Sequence, residues 1–169
     1  MQPSDAHVHV IATGGTISSH FDGADWTNLT GAELVDEVRP ALPDDLRRSV
    51  TVTDVASGPS SNLSVGDMMR IAAHVRDAID GGARGVVVLH GTDTLELSAY
   101  VAQLVLGVGP TRRPVVFTGS MRVHSHPLPD GLANLRDAIL VAASEAAVDR
   151  KSTRLNSSHI PLSRMPSSA

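Results

Sequence analysis

The sequence predicts an α/β domain on a doubly wound, mostly parallel sheet of Rossmann or flavodoxin-like type, with helices on both faces. Three observations carry that expectation. Short β-branched runs alternate with segments of helical periodicity along residues 7–143. The run Gly85 to Leu89 is apolar without interruption, as befits a strand covered on both faces. Two polar turns, Ala12-Thr13-Gly14-Gly15-Thr16-Ile17-Ser18 and His90-Gly91-Thr92-Asp93-Thr94, each follow an apolar strand. They therefore fall at the carboxyl edge of the sheet, where open α/β folds bind ligands.

The elements follow in order. His7 to Ala12 reads as the first strand. Thr30-Gly31-Ala32-Glu33 is a capping-box pattern that opens a short helix, which Arg39-Pro40 ends. Ser49 to Val55, rich in β-branched residues, is the second strand. Ser64 with Asp67 starts a longer helix whose Val65, Met68, Met69, Ala72, Val75 and Ile79 share one face, and Gly81-Gly82 stops it. Gly85 to Leu89 is the third strand. A helix through Leu95, Ser98, Val101, Leu104 and Val105 ends near Gly107, and Pro114 to Phe117 is the fourth strand. Asp130 or Gly131 opens a last helix through Leu132, Leu135, Ile139 and Ala143.

Residue usage changes abruptly at position 151. Lys151 is the chain's only lysine, and residues 151–169 contain no acid and many serines. Taking the three bases of that segment (Lys151, Arg154, Arg164) from fourteen leaves eleven against eighteen acids, a net −7 for residues 1–150. The expectation is one α/β domain over residues 1–150, followed by a disordered, non-native tail over 151–169. The tail text is similar to translated sequencing-adapter sequence; a natural basic tail is the alternative.

Bulk properties narrow the function. A length of 169 residues with 41% hydrophobic and 19% charged content suits one globular domain. A formal charge of −4 gives no basic face for nucleic acid. Two Phe, one Trp and one Tyr leave an aliphatic core and no stacking platform for single strands. The absence of cysteine excludes disulfides and thiolate chemistry. Apolar stretches fall short of the roughly 18 residues a membrane span needs, and Met1 to Asp5 shows no secretory signal, so a cytoplasmic protein is expected.

Three loops could carry chemistry. Gly14-Gly15-Thr16 combines a hydroxyl with glycines that allow close backbone approach and free amides for an anion; alone, it is equally a plain turn. In Gly91-Thr92-Asp93-Thr94 a carboxylate sits between two hydroxyls, although Asp93 alone would read as a helix cap. Pro59-Ser60-Ser61-Asn62 places small polar groups after the second strand. Three such loops after strands of one sheet make a site. A threonine there would need a neighbouring base to become a nucleophile. The pairs His7/His9 and His124/His126 lack further ligands at diagnostic spacing, so no metal is expected. Dinucleotide, nucleophile-elbow and phosphate-loop motifs are absent.

These motifs resemble those of the bacterial-type L-asparaginases, the asparaginase/glutaminase family, in its amino-terminal domain. Ala12 to Ile17 resembles the first signature and His90 to Thr94 the second. Thr118-Gly119-Ser120-Met121-Arg122 with Asp130-Gly131 resembles a third stretch, and the likeness runs from about His7 to Asp149. The resemblance implies Thr16 as nucleophile on a side-chain amide, with Thr92 and Asp93 and a lysine as the second catalytic group. It implies that Ser60 holds the substrate α-carboxylate, that Ser61 stands where some members carry glutamine, and that Gly15 and Gly91 approach the substrate through backbone. The implied reaction is hydrolysis of L-asparagine, with L-glutamine as the alternative substrate, to the acid and ammonia through an acyl-enzyme, without metal or organic cofactor.

The sequence also departs from the family. Lys151 is not in the family's lysine motif, the smaller second domain is missing, and Ser18 to Asn28 lacks the tyrosine of the loop after Thr16, Trp26 being a positional candidate. The implied chain is a truncated, inactive form of an enzyme that acts as a homo-oligomer with its site between subunits. Two other readings use the same loops: a non-catalytic amino-acid-binding module, and an ammonia-releasing domain of a transamidation assembly.

Overall fold

Apolar β-branched runs and two well-capped helices set the architecture. A computed structural model describes residues 7–107, 113–144, 147 and 153–155. In chain order the strands are β1 (Val8–Ala12), β2 (Ser19–Phe21), β3 (Trp26–Asn28), β4 (Val50–Asp54), β5 (Gly85–Leu89), β6 (Val115–Thr118) and β7 (Thr153–Leu155). The helices are α1 (Gly31–Val38), α2 (Asp44–Arg47), α3 (Val65–Asp80), α4 (Leu95–Leu106) and α5 (Gly131–Ala143). Short 3₁₀ turns lie at Arg39–Ala41 and Ser60–Asn62.

Five strands form one parallel sheet in the order β4-β1-β5-β6-β7, so the fold is doubly wound α/β as predicted. Central β1 pairs with β4 from Val8↔Val50 to Ala12↔Asp54 and with β5 from Val8↔Gly85 to Ala12↔Leu89. That order is the flavodoxin-like one, and its topological switch point lies between β1 and β5.

Alternation along the strands feeds two cores. Val8, Val10, Val87, Leu89 and Val116 pack with Leu34 and Val35 of α1 and Leu135, Ala138 and Ile139 of α5. Ile11, Val86, Val88 and Phe117 pack on the other face with Ile71, Ala72 and Val75 of α3 and Leu95 and Ala102 of α4. Apart from Phe117 both layers are aliphatic, as the scarcity of aromatics predicts.

Both capping boxes form. The Thr30 hydroxyl accepts from Glu33 N while Glu33 accepts from Thr30 N, and Ser64 with Asp67 repeats the pattern. Helix α1 stops at Val38, where Pro40 enters a 3₁₀ turn. The predicted face of α3 needs correcting: Val65 and Met69 are 60% and 54% exposed, whereas Ile71 is buried. Residues 68, 71, 72 and 75 make the true i, i+3, i+4, i+7 stripe. Leu104 of α4 is exposed and Ala102 takes its place in the core.

Ser18 to Asn28 contains the antiparallel β2–β3 hairpin, with Ser19↔Asn28 and Phe21↔Trp26 paired. Of the segment 151–169, Thr153–Leu155 lies beside β6, and Lys151 and Arg164 fall outside the described residues. Among the described residues no helix is long and apolar enough to cross a membrane.

Candidate active site

Four loops meet at the carboxyl ends of β1, β4, β5 and β6, and glycines make the meeting possible. Gly14 and Gly15 both have positive φ (85° and 90°), open to glycine at little cost. A methyl on Gly14 would lie 2.6 Å from Gly58 N, and one on Gly15 would lie 2.4 Å from Gly91 Cα. A methyl on Gly91 would in turn lie 2.6 Å from Ser60 Oγ. Backbone thus rests on backbone, and Thr16 and Thr92 each follow a glycine of the touching pair Gly15 and Gly91.

Hydrogen bonds secure the packing. Thr13 is buried, and its hydroxyl and amide both donate to Leu89 O, at 2.8 and 3.0 Å, tying the first turn to the end of β5. Gly15 N donates to Gly58 O at 2.9 Å, joining it to the third loop. Thr94 Oγ1 donates to Ser60 O at 2.9 Å, joining the second loop to the third. A fourth loop, after β6, lies so near that a methyl on Gly119 would meet His90 O at 2.4 Å and Thr92 Cγ2 at 3.4 Å. Asp130 holds that loop by accepting from Met121 N at 3.0 Å and Arg122 N at 2.9 Å, and Asn134 donates to Gly119 O at 2.8 Å.

The structure brings Thr16, Ser60, Thr92 and Asp93 to one edge of the sheet. Thr16 is partly exposed, Thr92, Asp93 and Ser61 are exposed, and Ser60 is buried. The Ser60 hydroxyl lies against Gly91 without a hydrogen-bond partner among the described residues. The capping reading of Asp93 is corrected: Thr94 is the N-cap of α4, and it makes no side-chain cap. Its hydroxyl is committed to Ser60 instead, which leaves the first amides of α4 without a side-chain cap beside Asp93.

His90 belongs to the second turn, yet sequence reasoning assigns it no part. It is fully buried, and its Nδ1–H donates to Gly91 O at 2.8 Å, which fixes the tautomer and leaves Nε2 a buried, unpartnered acceptor. Burial pushes its imidazole below the usual histidine range, with the bond to Gly91 opposing. Asp130 stands at the N-cap of α5 as predicted, and its carboxylate also organises the fourth loop. Its place in the third resembling stretch is the signal that could have found it.

His9 bonds through Nδ1 to Thr51 Oγ1 at 2.7 Å, and burial first, then the neighbouring His7 and His74, lowers its pKa. Among the described residues no cluster of three or more His, Asp or Glu side chains could hold a metal ion. A cavity of about 360 Å³ lies behind Gly14, lined by Ile17, Ser18, Asn28, Leu29, Asp54 and Ser57 among others. Thr16, Thr92 and Asp93 are not among its lining residues.

A family model for the N-terminal domain of asparaginase matches residues 7–153. A glutamyl-tRNA(Gln) amidotransferase subunit of Halobacterium salinarum is 38% identical over 142 residues, covering 83% of this chain and 32% of that one. A probable L-asparaginase of Deinococcus radiodurans is 37% identical over 142 residues, covering 84% and 41%. The crystal structure of a probable cytoplasmic L-asparaginase from Campylobacter jejuni aligns with a TM-score of 0.75 at 27% identity, over 88% of this chain and 45% of that one. The chain spans about a third of the amidotransferase polypeptide and under half of the two asparaginases.

Proposed function

The chain belongs to the asparaginase family through its N-terminal domain, and from that premise we propose that it carries the nucleophile half of an amidohydrolase that converts L-asparagine to L-aspartate and ammonia. The observation that supports this most is the Gly15–Gly91 contact at the switch point, which sets the Thr16 and Thr92 turns side by side. In this reading Thr16 attacks the side-chain amide carbon and becomes acylated. Thr92 and Asp93 bind substrate and orient the water that releases the acyl group. Ser60 and Ser61 receive the α-carboxylate, and backbone at Gly15 and Gly91 lines the scissile group. The uncapped amides at the start of α4 favour negative charge beside them, which suits acyl transfer through an oxyanion.

Thr16 still needs a base, because a threonine hydroxyl is a weak nucleophile. No lysine occurs among the described residues, and Lys151 lies outside them. We assign residues 1–150, to which β7 adds Thr153–Leu155, to the catalytic α/β domain, and expect little turnover from the 169-residue chain alone. Completion by further domain structure in a homo-oligomer would supply the base. The cytoplasm is the assigned compartment, supported by the cytoplasmic asparaginase neighbour.

The test is ammonia release from asparagine and from glutamine by the full-length gene product. Thr16→Ala and Thr92→Val should each lower it by orders of magnitude; unchanged activity in both ends this mechanism, and aspartate binding without any turnover would leave a binding module. A second reading, ammonia release for a transamidation partner, is favoured by the 38% identity to an amidotransferase subunit. Ammonia release that depends on an added partner enzyme and its charged tRNA would establish it.

A further inference from the structure

Away from the threonine turns, three titratable side chains from three elements meet in a line. Glu37 comes from the last turn of α1, His124 from the loop after β6, and His20 from β2. His124 Nε2–H donates to Glu37 Oε2 at 3.0 Å, and the Nδ1 atoms of His124 and His20 stand 3.2 Å apart. A carboxylate only accepts, so the His124 proton is on Nε2 and its Nδ1 is a lone pair for His20 Nδ1–H. The ring centroids are 5.4 Å apart, which sets the rings nearly end to end, as an N–H···N bond requires. Two nitrogens at that separation converging on one metal ion would draw the rings closer. His124 is only 15% exposed, so its two bonds are partly shielded from water. The same contact surface carries His124 N to Ser19 O at 2.8 Å and Phe21 N to Ser125 Oγ at 2.9 Å.

We propose that the Glu37–His124–His20 chain is an acid-sensitive latch that holds the β2–β3 hairpin against α1 and the loop after β6. Its bearing on catalysis rests on the function proposed for Thr16, because the hairpin begins three residues later and Ser18 N and Ser19 N bond back to Gly15 O and Thr16 O. Its existence does not.

The latch counts protons. A proton on Nε2 of His20 leaves both bonds in place, with its charge joined through His124 to the Glu37 carboxylate. The other free ring nitrogen position is Nδ1 of His124, where a proton displaces the bond from His20. Both protons together set two N–H groups head to head and two positive charges across 3.2 Å. A proton on Nδ1 of His124 removes the lone pair that accepts from His20, so acid drives opening and neutral pH holds the latch shut. Other charged or titratable groups near the chain do not reverse that sign. Asp22 on the hairpin acts electrostatically with His20, yet it cannot restore the lone pair that His124 loses. His126 accepts from Leu128 N through Nδ1, a bond that a proton also breaks, and Arg122 is turned to Leu128 O.

Trp26, the only tryptophan, reports on the hairpin from β3, where it packs on Phe21 with ring centroids 5.2 Å apart. Its fluorescence anisotropy in the 169-residue chain, followed from pH 8 to 5 with EDTA and with far-UV circular dichroism in parallel, tests the latch. The anisotropy should fall in acid while the dichroism holds. Glu37→Gln keeps an acceptor but removes the charge, and should move the fall to higher pH. His124→Phe should show low anisotropy throughout. A flat wild-type profile, a His124→Phe profile like wild type, loss of dichroism in the same step, or a response to zinc in place of protons would each overturn the latch. Thr16→Ala should leave the profile untouched, so loss of the asparaginase reading and loss of the latch are separate outcomes.

Discussion

Gly15→Ala puts the strongest demand on the way the two turns meet. The new methyl would sit 2.4 Å from Gly91 Cα and 2.6 Å from Gly91 N, and the residue would keep a φ of +90°. Holding an alanine in the left-handed region costs about 1–2 kcal/mol. Forcing a methyl into packed backbone adds about 1–3 kcal/mol. Gly91 cannot retreat easily, because it is wedged in turn against Ser60. The expected loss is therefore about 2–5 kcal/mol. Gly23→Ala is the control, since its φ is +105° but nothing lies within 4 Å of the new methyl. Strain alone should cost it about 1–2 kcal/mol. Urea denaturation followed by circular dichroism reads both. With a slope of about 2 kcal/mol per molar, the midpoint should fall by about 1–2.5 M for Gly15→Ala and about 0.5–1 M for Gly23→Ala. Equal shifts in the two variants would refute the backbone contact on which the paired-turn site is built.

His90→Asn keeps a donor for Gly91 O but removes a ring whose pKa burial lowers. Below the ordinary histidine pKa the unfolded chain binds a proton that folded His90 refuses, so stability falls as pH drops from about 7 toward 5. The variant should be less stable at pH 7, and the gap to wild type should narrow in acid; a constant gap in urea midpoints would contradict this. Asp130→Ala removes the acceptor of Met121 N and Arg122 N. Each such bond to a charged group is worth about 1.5–3 kcal/mol, so hydrogen exchange at those two amides should quicken at least tenfold while β5 amides stay protected. Thr13→Val deletes a buried bond to Leu89 O and should cost about 1 kcal/mol, whereas Thr16→Ala should change the urea midpoint little.

Much of the frame was readable because its signals are local. Gly85 to Leu89 has the bounds that its unbroken apolar run predicts, and all five residues are buried. The boxes at Thr30 and Ser64 need only a hydroxyl and an acid three residues on. The hairpin was unreadable because its strands are three residues long and largely polar, and what docks it is His124 and Ser125, about 104 residues away. Helix phase failed where periodicity was weak. Helix α4 is apolar nearly all round, so Leu104 and Ala102 could not be told apart. On α3, Val65 and Met69 belong to the apolar pattern but face outward in the first turns. The site loops were legible as loops at strand ends. That Gly15 touches Gly91, and Gly91 touches Ser60, depends on the β4-β1-β5 order, which no single motif encodes.

That order also sorts the hydroxyls at this edge, which by residue type look alike. Thr13 and Ser18 donate to Leu89 O and Gly15 O, Ser19 also to Gly15 O, Thr94 to Ser60 O, and Ser120 to Arg122 O. Each of these shapes a turn, and its proton is committed to a carbonyl. The side chains of Thr16 and Thr92 make no such bond among the described residues, although the glycine before each is packed too closely to admit a methyl. A group that holds the fold in place is poorly suited to react, since it would have to give up its bond to do so. The two threonines left over are those that glycine contacts set side by side and that remain open to solvent. Structural and chemical duties therefore fall on different residues of the same short turns, which is why Thr13 should matter to stability and Thr16 to turnover.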